Sequence, residues 1–281
     1  MTATLALLLL LQGATTILIF GIGLESTPGD ALHLLRYPGQ LLRALLAMYV
    51  AVPLVALAVV ELLPLAPPVA GAILVLAASS GAPLLPRKVL GVGNGAHVFS
   101  LVVLTSLLAI VVVPVWMALL PAVFDRLPPI PPEKTAILIA RSFFLPLVAG
   151  MVLRRFAPTF GRRVGPPLVA GAGIVLVVGA LALLAVNYDT LLEVRWRGVA
   201  ALAAFMVVAL AIGHLFGGPD PDRRTGLAVA CALRHIGVAV LVATSLPGPK
   251  TATILAVYVA TSTAVSVPYV AWRRRRANRR A

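Results

Sequence analysis

The third long apolar run of this 281-residue chain is interrupted by Ser79-Ser-Gly-Ala-Pro-Leu-Leu-Pro-Arg-Lys88, and the eighth by Ala230-Cys-Ala-Leu-Arg-His-Ile-Gly237. Each stretch combines residues that weaken or break a helix with basic side chains. A charged residue at bilayer depth costs about 2.5–3.5 kcal/mol on insertion scales, so it is retained mainly where it faces a polar cavity. Interrupted helices at matching places in two halves of a chain are typical of a secondary transporter's central site.

The composition of the whole chain indicates a membrane protein. Hydrophobic residues make up 60% of the sequence and charged residues 11%, and apolar runs near 20 residues recur along it. We therefore predict an all-α polytopic membrane protein, with the lipid bilayer around it and a single transmembrane domain over residues 1–281. The net charge of +14 does not indicate nucleic-acid binding, because the basic residues cluster at span ends. One cysteine, Cys231, excludes an internal disulfide and a cysteine-rich metal site.

Segments rich in proline, glycine and charged residues separate the apolar runs and predict about nine membrane spans. They cover residues 4–24, 41–63, 69–92, 98–123, 136–153, 167–187, 198–216, 225–246 and 251–271.

The distribution of Lys and Arg predicts the orientation of these spans. With the basic tail 272–281 in the cytoplasm, 14 basic residues fall on the inner side of the membrane and five on the outer side. We therefore expect a multi-pass protein of the cytoplasmic (inner) membrane, with the C-terminus inside and the N-terminus outside.

The two interrupted spans predict an internal repeat. The third span enters from outside and the eighth from inside, which is the relation that an inverted repeat produces. We expect repeat halves at about 1–124 and 136–271, joined by the proline-rich stretch Leu127-Pro-Pro-Ile-Pro-Pro132. The two discontinuous helices should cross near the middle of the membrane.

The first interruption supplies candidate helix-break and substrate-binding residues. Pro83 and Pro86 remove helical hydrogen bonds and lie close to Gly81, so the helix should open there. Arg87 and Lys88 follow at once and are candidates for binding a substrate anion. A kinked packing helix, with both basic side chains reaching to the membrane surface, is the alternative.

The second interruption supplies the deepest basic residue. Arg234 lies ten residues after Arg224, which is about 15 Å along a helix and near the midplane. A guanidinium there can bind a carboxylate, sulfate or phosphate, unless it forms a buried structural pair with a rare acid such as Glu61. His235 could exchange a proton near neutral pH or be a satisfied core histidine, and Gly237 marks the break.

Several further polar residues are candidates for the lining of the cavity, although each could instead hydrogen-bond its own helix. They are Ser79, Ser80, Thr105 and Ser106. Arg141 lies one turn inside the predicted fifth span and either reaches to the surface or faces the cavity. We find none of the sequence motifs of hydrolases, metalloproteases or nucleotide-binding enzymes, and all nine acids lie in loops or at span ends. We therefore expect no catalysis, no cofactor and no metal site.

The chain resembles the bile acid:sodium symporter family in a series of collinear blocks that cover nearly its whole length. Phe20-Gly-Ile-Gly-Leu24 is similar to the family's "FGMGL" entrance, and Pro53 matches a helix with a "Q…P" pattern. Ser79–Val89 occupies the place of the family's "CPGGTASN" crossover, and Gly95–Ser100 resembles the following "GDVALS". Arg224-Thr-Gly226 begins the block where the family has "R-T…E-x-G-x-Q-N". The resemblance implies two inverted five-helix repeats, although some members of the family lack the first helix. It also implies a sodium-coupled cavity for an organic anion at two crossing helices.

The departures from the family's pattern fall at its ion ligands. The family's glutamate becomes Ala230, its Gln-Asn pair becomes Arg234-His235, the asparagine of the first crossover becomes Arg87, and the glutamine before the proline becomes Met48. A guanidinium offers only donors and repels a cation. We therefore expect a secondary transporter of a small organic anion that is not coupled to sodium and works by uniport, exchange or proton coupling. The alternatives are a non-transporting membrane scaffold or sensor, and a symporter that uses other sodium ligands.

Overall fold

The computed structural model describes residues 2–27, 29, 33–79, 95–123, 132–234, 239 and 250–278. Every regular element among them is helical, and nine helices each overlap one predicted span. In chain order they are α1 Thr2–Glu25, α2 Pro38–Leu62, α3 Pro67–Ala78, α4 Gly95–Val123, α5 over residues 132–156, α6 Pro158–Val186, α7 Tyr188–Phe216, α8 Pro221–Ala232 and α9 Lys250–Asn278. A short 3₁₀ turn, His33–Arg36, precedes α2.

Several of these helices are long and apolar enough to cross a bilayer. Four such segments are Ala3–Glu25, Pro38–Leu62, Pro158–Val186 and Trp196–Phe216. The prediction of an all-α polytopic membrane protein is therefore confirmed.

Two helices contain a π-helical segment just before a proline. In α2 the segment is Leu46–Ala51, followed by Pro53; in α5 it is Ala140–Phe144, followed by Pro146. A proline has no N–H for the carbonyl one turn earlier. The π-helical turn shifts the hydrogen-bond register around that missing donor, and it leaves one carbonyl in each helix without a helical partner.

The helices pack in two groups. In the first group α1 lies against α5 and α6, and in the second α7 lies against α8 and α9 while α3 lies against α2 and α9. Glycines allow the closest approaches: a Cβ atom at Gly150 would lie 2.3 Å from the Phe20 carbonyl oxygen, and one at Gly213 would lie 2.5 Å from that of Leu227. Close helix approach through small residues is how transmembrane helices gain packing energy without a hydrophobic driving force.

The two interrupted spans are the shortest helices of the second group. α3 and α8 are each 12 residues long, and each is followed by a residue outside helical geometry, Ser79 (φ −81°, ψ 71°) and Leu233 (φ −86°, ψ 88°). Leu233 lies inside the predicted interruption Ala230–Gly237, and Ser79 is the first residue of the predicted interruption Ser79–Lys88. Pro83 and Pro86 themselves lie outside the described residues.

Candidate functional site

The carboxyl-terminal ends of α3 and α8 meet around the guanidinium of Arg234. This side chain is 2% exposed, and it is the largest of the fully buried side chains among the described residues. Its Nη2 atom donates to the carbonyl oxygen of Ala77 at 2.8 Å and to that of Met48 at 3.1 Å. One nitrogen thus joins α8, α3 and α2.

The Ala77 carbonyl is available because α3 ends at Ala78. The last carbonyls of a helix have no partner within the helix and carry the negative end of its dipole. A cationic side chain is therefore a favourable cap at this position, and Arg234 supplies it from a helix 157 residues away in the sequence.

The Met48 carbonyl is available because of the π-helical turn and Pro53. In an α-helix this carbonyl would accept from the N–H of Val52, but that N–H bonds to the Ala47 carbonyl instead. The next residue, Pro53, has no N–H to offer. The Nη2 atom of Arg234 therefore takes the place of a backbone donor.

The rest of the guanidinium has no partner among the described residues. The Nε and Nη1 atoms of Arg234 are buried and make no hydrogen bond. Because a guanidinium carries five N–H donors and Nη2 uses two of them, three donors remain free. No acid within the described part of the chain forms an ion pair with Arg234, and Glu61, which we considered as its partner, is exposed at the end of α2. An unpaired buried charge is costly, so this one calls for a counter-anion or water.

Tyr258 on α9 holds the backbone of Arg234 in place. Its hydroxyl is fully buried, accepts a hydrogen bond from the backbone N–H of Arg234 at 2.7 Å, and donates to the carbonyl of Ala232. The phenol therefore bridges the point where α8 ends. Sequence reasoning missed this residue because nothing in the apolar pattern of α9 separates Tyr258 from an ordinary core aromatic.

Two of the polar residues predicted to line the cavity have described side chains. Ser79 lies near the bond between Ala77 and Arg234, and Thr105 lies on α4. Ser79 follows Ala77 by two residues, and its hydroxyl is buried and has no hydrogen-bond partner in the described part of the chain. Thr105 is also buried, but its hydroxyl donates to the Leu101 carbonyl of its own helix at 2.7 Å. Ser106 lies on the same helix, and its side chain is outside the described part of the structure.

The other predicted site residues fall outside the described ranges. Those of the first interruption are Ser80, Gly81, Pro83, Pro86, Arg87 and Lys88, and those of the second are His235 and Gly237. Of the predicted substrate-binding residues, the structure therefore brings Arg234 and Ser79 into the neighbourhood of the joined helix ends. Within the described residues, no group of three or more His, Cys, Asp or Glu side chains is placed to hold a metal ion.

Comparison with known proteins connects this architecture to a transporter family. The family model described as "Sodium Bile acid symporter family" matches residues 14–194. A protein of Bacillus subtilis (strain 168), named "Uncharacterized sodium-dependent transporter YocS", is 28% identical over 257 residues, which cover 86% of this chain and 76% of the relative. The matched residues include α2, α3 and α4, but not α8 and α9. The chain belongs to the sodium bile acid symporter family of membrane transporters.

Proposed function

We propose that this protein is a secondary transporter of a small organic anion across the cytoplasmic membrane, and that it works without sodium at the junction of α3 and α8. The observation that carries the proposal is the buried guanidinium of Arg234, which bonds to the carbonyls of Met48 and Ala77. In a sodium-coupled transporter, bound sodium would neutralise an anionic substrate and hold the helix ends together. We propose that the guanidinium of Arg234 takes over both tasks in this protein.

The charge of Arg234 opposes cation binding at this junction. Two unit charges 4 Å apart interact by about 4 kcal/mol at the effective dielectric constant of about 20 that suits protein sites. A sodium ion beside the guanidinium would meet repulsion of this order. The carbonyl oxygens of Met48 and Ala77, which could have coordinated a cation, already accept from Nη2.

The same charge favours an anion. The Nε and Nη1 atoms of Arg234 and the hydroxyl of Ser79 are buried polar groups that no described residue satisfies. Hydrogen bonds from a guanidinium to a carboxylate or sulfate are charge-assisted and stronger than neutral ones. We propose that Arg87, Lys88 and His235 complete the site, with His235 able to couple transport to a proton.

The overall arrangement proposed with this function is a single transmembrane domain over residues 1–281, with inverted halves at about 1–124 and 136–271. Its C-terminus would lie in the cytoplasm and its N-terminus outside. The alternative within the same family is sodium coupling through other ligands, and the Bacillus subtilis relative, named as a sodium-dependent transporter, favours it.

The test is a thermal-shift and uptake screen of the purified protein in lipid nanodiscs and liposomes. The probe anions are cholate, pantothenate and 2-ketoisovalerate, which differ in shape. The thermal shift and the uptake of each anion are measured in sodium buffer and in choline buffer of equal ionic strength. Uncharged counterparts, methyl cholate and panthenol, are the controls. We expect at least one anion to stabilise and enter, its counterpart to do neither, and sodium to change the affinity by less than about threefold. A gain of tenfold or more that is specific to sodium would reject sodium-independent coupling, and no transport of any anion would favour a scaffold.

A further inference from the structure

The last helix, α9, continues past the point where the sequence predicted its membrane span to end. The span was expected over residues 251–271 with a basic tail over 272–281, whereas α9 extends to Asn278. The four consecutive arginines Arg273–Arg276 are therefore part of a regular helix. A helix fixes which of these side chains share a face, because residues three and four positions apart are neighbours on its surface.

One face of this helix end carries two aromatic and two basic side chains, at the spacing of a helical stripe. They are Tyr269, Trp272, Arg273 and Arg276. We call this stripe the arginine face. The other two arginines, Arg274 and Arg275, lie on other sides of the helix and are exposed.

Arg273 and Tyr269 join the arginine face to the neighbouring helices. The Nε atom of Arg273 donates to Oγ1 of Thr225 at 2.8 Å, and its Nη2 atom donates to the carbonyl oxygen of Pro221 at 2.7 Å, both near the start of α8. The Tyr269 hydroxyl forms a 2.7 Å hydrogen bond with Nδ1 of His214 in the last turn of α7. The ends of α7, α8 and α9 thus meet at one level, and the guanidinium of Arg273 has a fixed position.

Arg276 is held at the same level by an aromatic ring. Its guanidinium carbon lies 4.4 Å from the centre of the Trp272 ring, which is a cation–π contact. The Trp272 ring lies beside those of Tyr269 and His214, with centroids 5.9 and 6.3 Å away. No acid in the described part of the chain forms an ion pair with Arg273 or Arg276, so the positive charge of both side chains is not neutralised there.

The balance of charge at this end of the protein is positive. The first turn of α8 adds Arg223 and Arg224, so six arginines lie here against two acids, Asp220 and Asp222. Asp220 already accepts hydrogen bonds from the N–H groups at the start of α8, and it lies 3.5 Å from Nε of Arg223. An anion from outside the chain is therefore the complement of this surface.

The sequence of α9 places the arginine face at the level of lipid headgroups. No charged residue lies between Lys250 and Arg273, so the edge of the hydrocarbon layer falls at Trp272, a residue type that is enriched at that edge. Headgroups occupy about 5–7 Å beyond the edge in each leaflet. Arg276 follows Trp272 by about 6 Å along the helix, which is the level of the lipid phosphates.

We infer that the arginine face binds the headgroup of an anionic phospholipid, with the phosphate on Arg273 and Arg276 and an acyl chain beside Trp272. A guanidinium binds phosphate oxygens through two parallel hydrogen bonds. A zwitterionic lipid offers the same phosphate but adds an ammonium group, which the neighbouring arginines repel. An anionic lipid bound here joins the ends of α7, α8 and α9, whether or not the protein transports an anion.

Quenching of tryptophan fluorescence tests this lipid site. The chain has three tryptophans, so Trp116→Phe with Trp196→Phe leaves Trp272 as the single reporter. The matched control keeps Trp196 alone, which is 73% exposed and also lies beside an arginine, Arg197. Each protein is placed in phosphatidylcholine nanodiscs, into which phosphatidylglycerol with brominated acyl chains is titrated. Brominated phosphatidylcholine is the second titrant.

We expect brominated phosphatidylglycerol to quench Trp272 more strongly than brominated phosphatidylcholine does at the same mole fraction, whereas both lipids quench Trp196 equally. Adding Arg276→Gln should weaken the apparent affinity for phosphatidylglycerol about fivefold more than adding Arg275→Gln, which is the effect of one hydrogen bond. Soluble glycerophosphate should not relieve the quenching.

Equal quenching of Trp272 by the two lipids overturns the inference. So does an equal effect of Arg275→Gln and Arg276→Gln, which would indicate a general attraction between a basic helix end and an anionic surface. Relief of the quenching by glycerophosphate would assign the surface to a soluble anion instead.

Native mass spectrometry replaces the fluorescence assay if the double tryptophan variant does not fold. Preferential retention of phosphatidylglycerol over phosphatidylcholine by the unmodified chain, reduced more by Arg276→Gln than by Arg275→Gln, supports the site, and equal retention of the two lipids rejects it. These measurements need no transport, so a failure of the proposed function would show in the anion screen alone.

Discussion

The guanidinium of Arg234 and the backbone carbonyl of Ala77 form a 2.8 Å hydrogen bond that joins the ends of α8 and α3. The same nitrogen also reaches the Met48 carbonyl in α2. One part of the guanidinium thus holds three helices together, and its Nε and Nη1 atoms have no partner among the described residues. We propose that these two atoms bind the substrate anion.

The first prediction separates these two roles by substitution of Arg234. Arg234→Gln should lower the affinity for the anion found in the screen by roughly 30- to 4,000-fold, since loss of one partner of a buried charged pair costs about 2–5 kcal/mol. It should also lower the unfolding temperature, because the two carbonyls lose their donor. Arg234→Lys keeps the charge and three donors but not the planar guanidinium, so it should recover stability more fully than affinity.

Binding assays and thermal unfolding of the three proteins in nanodiscs check this prediction. Normal anion affinity in Arg234→Gln would assign Arg234 to structure alone and leave Arg87 as the remaining candidate for substrate binding. Arg162→Gln is the control for general loss of positive charge.

The second prediction concerns Tyr258, which positions Arg234 through its backbone. Tyr258→Phe removes the hydroxyl between the Arg234 N–H and the Ala232 carbonyl. The variant should lose about 1–3 kcal/mol of stability, because buried polar groups remain without partners. The affinity for the anion should fall as well, because the backbone of Arg234, and with it the guanidinium, is no longer fixed by the Tyr258 hydroxyl. The matched control is Tyr188→Phe, at a position 58% exposed, which should change neither quantity. A Tyr258→Phe protein with unchanged affinity would show that the phenol only stabilises the fold.

The third prediction compares two glycine substitutions that should have different effects on the stability of the protein. Gly150→Ala should destabilise the protein, since the added Cβ would lie 2.3 Å from the Phe20 carbonyl and would force α5 away from α1; overpacking typically costs about 1–3 kcal/mol. Gly171→Ala on α6 meets nothing within 4 Å and should be neutral or stabilising by up to about 1 kcal/mol, as expected from helix propensity. Thermal unfolding of both variants in the same detergent gives the comparison. Equal unfolding temperatures would contradict the close α1–α5 contact.

The fourth prediction concerns orientation. With 14 basic residues on one side of the membrane and five on the other, Asn278→Cys should resist a membrane-impermeant maleimide in intact cells and react after permeabilisation. Tyr188→Cys, at the predicted outer end of α7, should react in intact cells. The reverse labelling pattern would invert the proposed topology.

The site could be predicted only in part from the sequence. The distance of Arg234 from Arg224 and the apolar residues around it predict a position near the membrane midplane, and the structure shows that its side chain is buried within the protein. An acid such as Glu61 was only the alternative to anion binding by Arg234, and no pattern in the sequence indicated the carbonyl oxygens of Ala77 and Met48 as its partners. Pro53 does signal a carbonyl without a helical donor, but the π-helical register that selects Met48 depends on local backbone geometry. Tyr258 carried no signal at all.

The linear order of apolar runs, prolines and arginines determined that this is an all-helical membrane protein of the bile acid symporter family, and it predicts interruptions in the third and eighth spans. Those features depend on residues close together in the chain, where transfer into lipid and loss of backbone donors act locally. Only the tertiary structure decided that Ala77, Met48, Arg234 and Tyr258 meet. They come from four helices, and Met48 and Arg234 are separated by 186 residues. Which free carbonyl receives which donor is settled by helix packing, because a hydrogen bond requires its two atoms within about 3 Å, and no local pattern encodes that distance.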